Sequence, residues 1–268
     1  EAWDICRGLT NIKIGILDSG IDITHEDLSG RVDTTLSISF SSTYADPLND
    51  EAGHGTAVAG IIGASTHNED GISGICWNTT LVSLKVLDSI VDDRAKFNIG
   101  YVVEAIEYAD ENDIMILNYS GGGYNYFPIV RNALENYRGL FICSAGNECN
   151  NNDINACYPS EYSKILNNVI SVGASNEDNE MWISSSSSGS NYGQTSVDIF
   201  APGEDIATTY PTSIIGSGYA FADGTSLAAP FVTGVAALMM AYYPNMSVAE
   251  IKELIIQSAT QSNYWNDK

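Results

Sequence analysis

The sequence predicts an α/β fold, a doubly wound and mostly parallel sheet with helices on both faces. Three observations carry this. Short, near-continuous apolar runs recur along the chain and mark strands buried on both faces. Segments of helical character alternate with them. Several runs end in small or polar residues, as in Asp18-Ser19-Gly20, Ser120-Gly121-Gly122-Gly123 and Ala145-Gly146-Asn147. Ligands of such folds sit beyond the C-terminal strand ends.

The elements follow in order. Ile12 to Leu17 is an apolar strand ending at Asp18. A helix of small residues follows Gly53-His54 and runs through Ala57, Val58, Ala59, Gly60, Ile61 and Ile62, which demands close packing. Thr80 to Leu87 reads as a strand. Ile99 to Asn112 reads as an amphipathic helix with Val102, Val103, Ile106 and Ala109 on one face. Asp113 to Tyr119 is a strand, Phe127 to Tyr137 a helix, and Leu140 to Ala145 a strand. Val169 to Val172 and Val197 to Phe200 are later strands, with Ser184 to Ser188 a loop by composition. Ser226 to Tyr243 is apolar nearly all round, so it is expected inside the protein. Pro244 ends it. Ser247 and Glu250 form a capping box that opens a last helix, through about Ser258.

The chain has 268 residues and carries 34 Asp+Glu against 11 Lys+Arg, a formal net charge of −23. Its 44% hydrophobic content excludes a disordered acidic tail. The shortage of cations argues against nucleic acid or an anionic membrane as a partner. No apolar run approaches the roughly 18 residues of a membrane span, and Glu1-Ala2-Trp3-Asp4 does not open a signal peptide. There is no repeat and no linker, so residues 1–268 read as one domain. The cysteines number five. Cys149 and Cys157, eight positions apart across an Asn-rich loop, are expected to form a disulfide. Cys6 with Cys76 is a second candidate pair, and Cys143 reads as a buried thiol.

Taken alone, Asp18 reads as a turn former, His54 as a structural hydrogen-bonder and Ser226 as a helix N-cap. Together they read differently. A serine hydroxyl is a poor nucleophile unless a base takes its proton, and a carboxylate must hold that base in the right tautomer. One residue of each type stands in a glycine-flanked setting. Asn147 adds an amide donor just past a strand.

These segments resemble the catalytic domain of subtilisin-like serine proteases, the subtilases. The resemblance rests on Ile16-Leu17-Asp18-Ser19-Gly20-Ile21-Asp22, Gly53-His54-Gly55-Thr56-Ala57-Val58-Ala59-Gly60, Ser144-Ala145-Gly146-Asn147-Glu148 and Gly224-Thr225-Ser226-Leu227-Ala228-Ala229-Pro230. It runs from about Asn11 to Ser258. It implies Ser226 as nucleophile, His54 as general base and acid, and Asp18 as the residue orienting His54. Asn147 and the Ser226 N–H would form the oxyanion hole. Ser120, Gly121 and Gly122 would pair with substrate residues before the scissile bond. Ser144, Ala145 and Gly146 would wall the primary specificity pocket, with Glu148 at its rim. Three positions depart from well-known members without removing a catalytic group: Ala57 for His, Leu227 for Met and Asp223 for Asn.

The resemblance further implies a protein or peptide substrate, a propeptide partner, a monomer and an extracellular or cell-surface setting. It implies no catalytic cofactor. It raises a structural calcium, with Asp27 and Asn68 as the candidate ligands. The family core usually continues past the capped helix, so the stop at Asn263 to Lys268 reads as a trimmed core without propeptide or final segment. A narrow maturation protease cutting leader peptides is an alternative, and an inactive binding module a weaker one. A metal hydrolase finds no support in His25, His54 and His67, whose spacing contains no His-Glu-x-x-His pattern.

Overall fold

A computed structural model describes residues 2–69, 71–92 and 94–261. The elements are α1 (Ala2–Ile5), β1 (Lys13–Asp18), β2 (Ile38–Ser39), α2 (His54–Gly63), β3 (Thr80–Lys85), β4 (Leu87–Val91), β5 (Arg94–Phe97) and α3 (Ile99–Glu111). There follow β6 (Ile116–Tyr119), α4 (Pro128–Asn136), β7 (Leu140–Ser144), β8 (Val169–Ser175), β9 (Ile183–Ser185), β10 (Ser188–Gly189), β11 (Ile199–Pro202), β12 (Ile206–Thr209), β13 (Tyr219–Ala222), α5 (Thr225–Tyr242) and α6 (Val248–Ser258). Residues 263–268, on which the expectation of a missing final segment rests, lie outside the described residues.

Among the described residues, seven strands form one sheet in the order β11-β8-β7-β6-β1-β3-β2. The neighbouring strands pair in parallel. The strand period of two divides the apolar residues between the faces. Ile14, Ile16, Ile116, Ile142 and Ile170 pack with α2, α5 and α6, through Val58, Ile62, Ala228, Val232 and Ile251. Leu17, Val82, Leu84, Leu117, Phe141 and Val169 pack with α3 and α4, through Val102, Ile106, Val130 and Leu134. Each such large side chain contributes about 1.5–3 kcal/mol on burial. The sheet is therefore covered on both faces, as its apolar runs require.

The small residues of α2 have a direct cause. A Cβ on Gly60 would come within 2.2 Å of Thr209 Oγ1 on β12, so the helix lies tight against that strand. Helix α3 is capped by Asn98, whose side chain accepts from Gly100 N–H at 2.8 Å. In the α6 box Glu250 N–H donates to Ser247 Oγ at 3.3 Å, and Ser247 N–H to Glu250 Oε2 at 2.7 Å. Contrary to the expectation that no apolar run approaches a membrane span, helix α5 is long and apolar enough to cross a membrane by length and composition. Its contacts with β6, β7, β8 and β11 make it the core helix expected of its sequence.

Several elements differ from expectation. The hairpins β4–β5 and β12–β13 have no counterpart among the expected elements, because two-stranded surface ribbons show no sustained apolar run. The serine run is not a plain loop: β9 and β10 pair through it by backbone bonds that need no side-chain signal. Strand β6 starts at Ile116 rather than Asp113, which adopts φ +53° and ends the preceding turn. The expected disulfides are also corrected, since all five cysteines are free. The Cys149 thiol faces the β9–β10 hairpin, 3.7 Å from Ser185 O. Cys157 faces Gly122 instead. Cys6 donates to Leu238 O at 3.6 Å. Burial and then the nearby Cys6 push the Cys76 thiol up to about 12.

Candidate active site

Asp18 ends β1 fully buried. His54 opens α2, and its Nδ1–H meets both carboxylate oxygens, at 2.8 Å to Oδ1 and 2.9 Å to Oδ2. Its side chain stays 29% exposed, so the far edge of the ring reaches the cleft. The flanking glycines are steric requirements. Gly53 adopts φ +80°, and a Cβ there would strike the Tyr210 ring at 2.4 Å. A Cβ on Gly55 would lie 2.1 Å from Gly20 O. Only bare backbone lets α2 come this close to the turn after β1.

Desolvation pulls the His54 imidazolium pKa down. The Asp18 charge, its hydrogen bond and then the Asp50 charge outweigh this, and the pKa is raised above its ordinary 6.5.

Ser226 enters α5 one residue after its start. Gly224 N-caps the helix without a side-chain bond. The cap comes from across the cleft: Asn147 Oδ1 accepts from Thr225 N–H at 2.9 Å and Thr225 Oγ1–H at 2.8 Å. That fixes the amide and turns Nδ2 toward the serine. A Cβ on Gly224 would lie 3.3 Å from both Asn147 Nδ2 and Ser226 Oγ. Pro230, inside α5, has no N–H for the carbonyl of Ser226 four residues earlier. The Ser120 hydroxyl donates to that carbonyl instead, at 2.8 Å.

His54, Ser120, Asn147, Thr225 and Ser226 line one cleft of about 1070 Å³, together with Gly121, Gly122, Ser144, Gly146, Glu148, Phe97, Tyr124, Tyr158 and Tyr210. Ala145 does not line it. That residue is fully buried, and its carbonyl accepts from Asn152 Nδ2 at 2.9 Å and Asn191 Nδ2 at 3.0 Å. Glu148 Oε2 accepts from Tyr124 Oη at 2.8 Å, Asn147 N–H at 2.9 Å and Asn191 Nδ2 at 3.1 Å. Tyr124 and Asn191 escaped the sequence reading because no motif marks them and only the fold brings them to Glu148.

Asp27 and Asn68 do come together, 41 positions apart, but not in a form that suits calcium. Calcium takes six to eight oxygens. The buried Asp27 carboxylate is met by donors: Asn68 Nδ2 at 2.6 Å, Ile72 N–H at 2.9 Å and the Tyr219 hydroxyl at 3.1 Å, whose one proton it shares with Glu26 Oε1 at 2.9 Å. Among the described residues no group of three His, Cys, Asp or Glu could hold a metal.

A buried acid on a parallel strand, a histidine and a serine at two helix starts, and an amide beside the serine are the arrangement of subtilisin-like serine proteases. The chain belongs to the subtilase family, whose sequence profile matches residues 10–268. It is 35% identical over 261 residues to a thermophilic serine proteinase of Bacillus sp. (strain AK1), covering 96% of this chain and 59% of that one. It is 32% identical over 255 residues to subtilisin E of Bacillus subtilis (strain 168), covering 94% and 61%. The chain thus spans about three fifths of the length of these relatives. Among solved structures it resembles a lanthipeptide protease with TM-score 0.78 and 25% identity, over 98% of this chain and 84% of that one.

Proposed function

We propose that the chain is a serine endopeptidase working through Asp18, His54 and Ser226 and an acyl-enzyme. The observation that carries this is the two-oxygen grip of Asp18 on His54 Nδ1, with Ser226 Oγ and Asn147 Nδ2 facing one small space. With Nδ1 carrying its proton, Nε2 is free to accept. Ser226 Oγ attacks the scissile carbonyl carbon as His54 Nε2 takes its proton. Negative charge develops on the former carbonyl oxygen, between Asn147 Nδ2–H and the Ser226 N–H, an orphan donor at the start of α5. His54 then passes its proton to the leaving amine, and water repeats the sequence on the ester. The test is labelling by a fluorophosphonate. One label per chain on Ser226, located by mass spectrometry, is expected. An unlabelled, folded chain would point to a binding module.

Asn147 supplies a second test. Asn147→Asp keeps an acceptor for Thr225 and loses the donor, so kcat should fall about 10²–10³-fold or more while Tm holds. Asn147→Ala should lose rate and also about 1 kcal/mol of stability, because it strips the cap from α5. Wild-type turnover in Asn147→Asp would remove Asn147 from the oxyanion hole.

Glu148 supports a preference for Lys or Arg before the cut. One of its oxygens is held by three donors, and the side chain is exposed at the cleft. The narrower reading, maturation of a leader peptide, is supported by the likeness to a lanthipeptide protease. A cleavage-site profile on a peptide library separates narrow from broad specificity. An extracellular setting rests on the family resemblance alone, for the free thiols give it no support. A propeptide partner and a monomeric state rest on it likewise.

Because donors satisfy Asp27, its loop should hold without calcium. Chelation is expected to leave Tm unchanged, and Tyr219→Phe to lower stability by about 1–2 kcal/mol. A Tm that drops with chelator and recovers with calcium would overturn this.

A further inference from the structure

Beneath the Asp18–His54 pair lies a second carboxylate, Asp50, only 1% exposed in the loop before α2. Its Oδ1 accepts from Ser19 Oγ–H at 2.7 Å, Gly53 N–H at 2.8 Å and Ala52 N–H at 3.2 Å. Its Oδ2 accepts from Thr56 N–H at 2.8 Å and Thr56 Oγ1–H at 2.7 Å. These partners reach both sides of the site. Ser19 Oγ accepts from Gly55 N–H at 3.0 Å, and Ser19 N–H donates to Asp18 Oδ1 at 2.7 Å. Thr56 Oγ1 accepts from Asp22 N–H at 3.0 Å.

The chemistry of the position is specific. Every group aimed at Asp50 donates, and an ionised carboxylate is the side chain that accepts at two oxygens and donates at neither. An asparagine would turn an NH₂ toward either the Ser19 side or the Thr56 side. The position also places negative charge at the N-terminus of α2, where the helix dipole favours it. Burial raises the Asp50 pKa against the Thr56 and Ser19 hydrogen bonds that lower it, and His54 is the titratable group on which its charge acts. Asp18 and Asp22, around the turn after β1, are acids. Lys85 on β3 donates to Asp46 O, Asn49 O and Glu51.

We propose that Asp50 is a positioning residue for His54. It pins the first turn of α2 to the turn after β1 and so sets the contact between His54 Nδ1 and Asp18. This rests on the reading of the chain as a serine peptidase, and the test separates the two. Asp50→Asn and Ser19→Ala are compared with wild type by kcat and KM per titrated active site, by the acid limb of the pH profile, and by the downfield NMR resonance of His54 Nδ1–H. Asp50→Asn should lower kcat about 10- to 100-fold and leave KM within about twofold. The acid limb should move to lower pH and the resonance upfield. Ser19→Ala should move each readout the same way by less. A folded Asp50→Asn with wild-type kcat, limb and resonance would overturn the proposal. So would a loss confined to Tm, which would make Asp50 merely structural. If wild type neither cleaves peptides nor takes the label, the peptidase reading fails. The resonance still decides whether Asp50 positions His54.

Discussion

Replacing Ser226 with alanine should lower kcat by about 10⁶, the order found when the nucleophile of a subtilisin is removed. The fold should be untouched. Asn147 caps α5 through Thr225, and the Ser226 carbonyl, which Ser120 holds, remains in alanine. Tm should therefore stay within about 0.5 kcal/mol of wild type in stability terms. Residual hydrolysis should still exceed the uncatalysed rate, because the proposed oxyanion donor Asn147 and the proposed substrate pairing at Ser120 to Gly122 survive. A Ser226→Ala protein that turns over at more than a hundredth of the wild-type rate would place the nucleophile elsewhere.

Asp18→Asn should cost about 10⁴ in kcat. The reason is tautomeric. Asp18 presents acceptors to His54 Nδ1 at 2.8 and 2.9 Å, which keeps the proton on Nδ1 and leaves Nε2 free. The carboxamide can turn its NH₂ to Nδ1, and the ring then carries its proton on Nε2, where it cannot accept from Ser226. The pH profile should move as well. His54 must be neutral to act as a base, so the wild-type rate rises with pH through a pKa held above 6.5. Without the Asp18 charge, desolvation is the dominant influence left, and the acid limb should shift to lower pH. The same pairing has a sign for stability. A histidine whose pKa is raised by folding stabilises most below its unfolded pKa, and that contribution fades as pH rises through the folded one. An unchanged limb in Asp18→Asn would contradict the electrostatic role.

Much of the fold was legible because its signals are local. The runs at 12–17, 80–87 and 140–145 carry apolar residues on both faces, and a strand of that kind has to lie inside a covered sheet. The α6 box is spelled by Ser247 and Glu250. The candidate site residues Asp18, His54, Asn147 and Ser226 stand out in the sequence for another reason. Each stands beside glycines or small residues that the packing demands, as Gly53 and Gly55 do against Tyr210 and Gly20. The β4–β5 and β12–β13 hairpins were not legible, since half-exposed ribbons bury too little to leave a pattern. The cysteine spacing misled. Eight positions across a loop say nothing about which way two thiols point, and Cys149 and Cys157 point to different neighbours.

The sequence by itself determined the covered parallel sheet, the order acid, histidine, serine, and the family, because those depend on residue type and on neighbours along the chain. Only the tertiary structure decided which side chains complete the site. It joined Asp50 to Ser19, 31 positions away, set Ser120 on the carbonyl that Pro230 leaves open, and joined Tyr124 and Asn191 at Glu148. It also closed Asp27 with Tyr219, 192 positions away. A buried polar atom must find a partner wherever the fold brings one. That partner is chosen by position in space, and spacing along the chain does not record it.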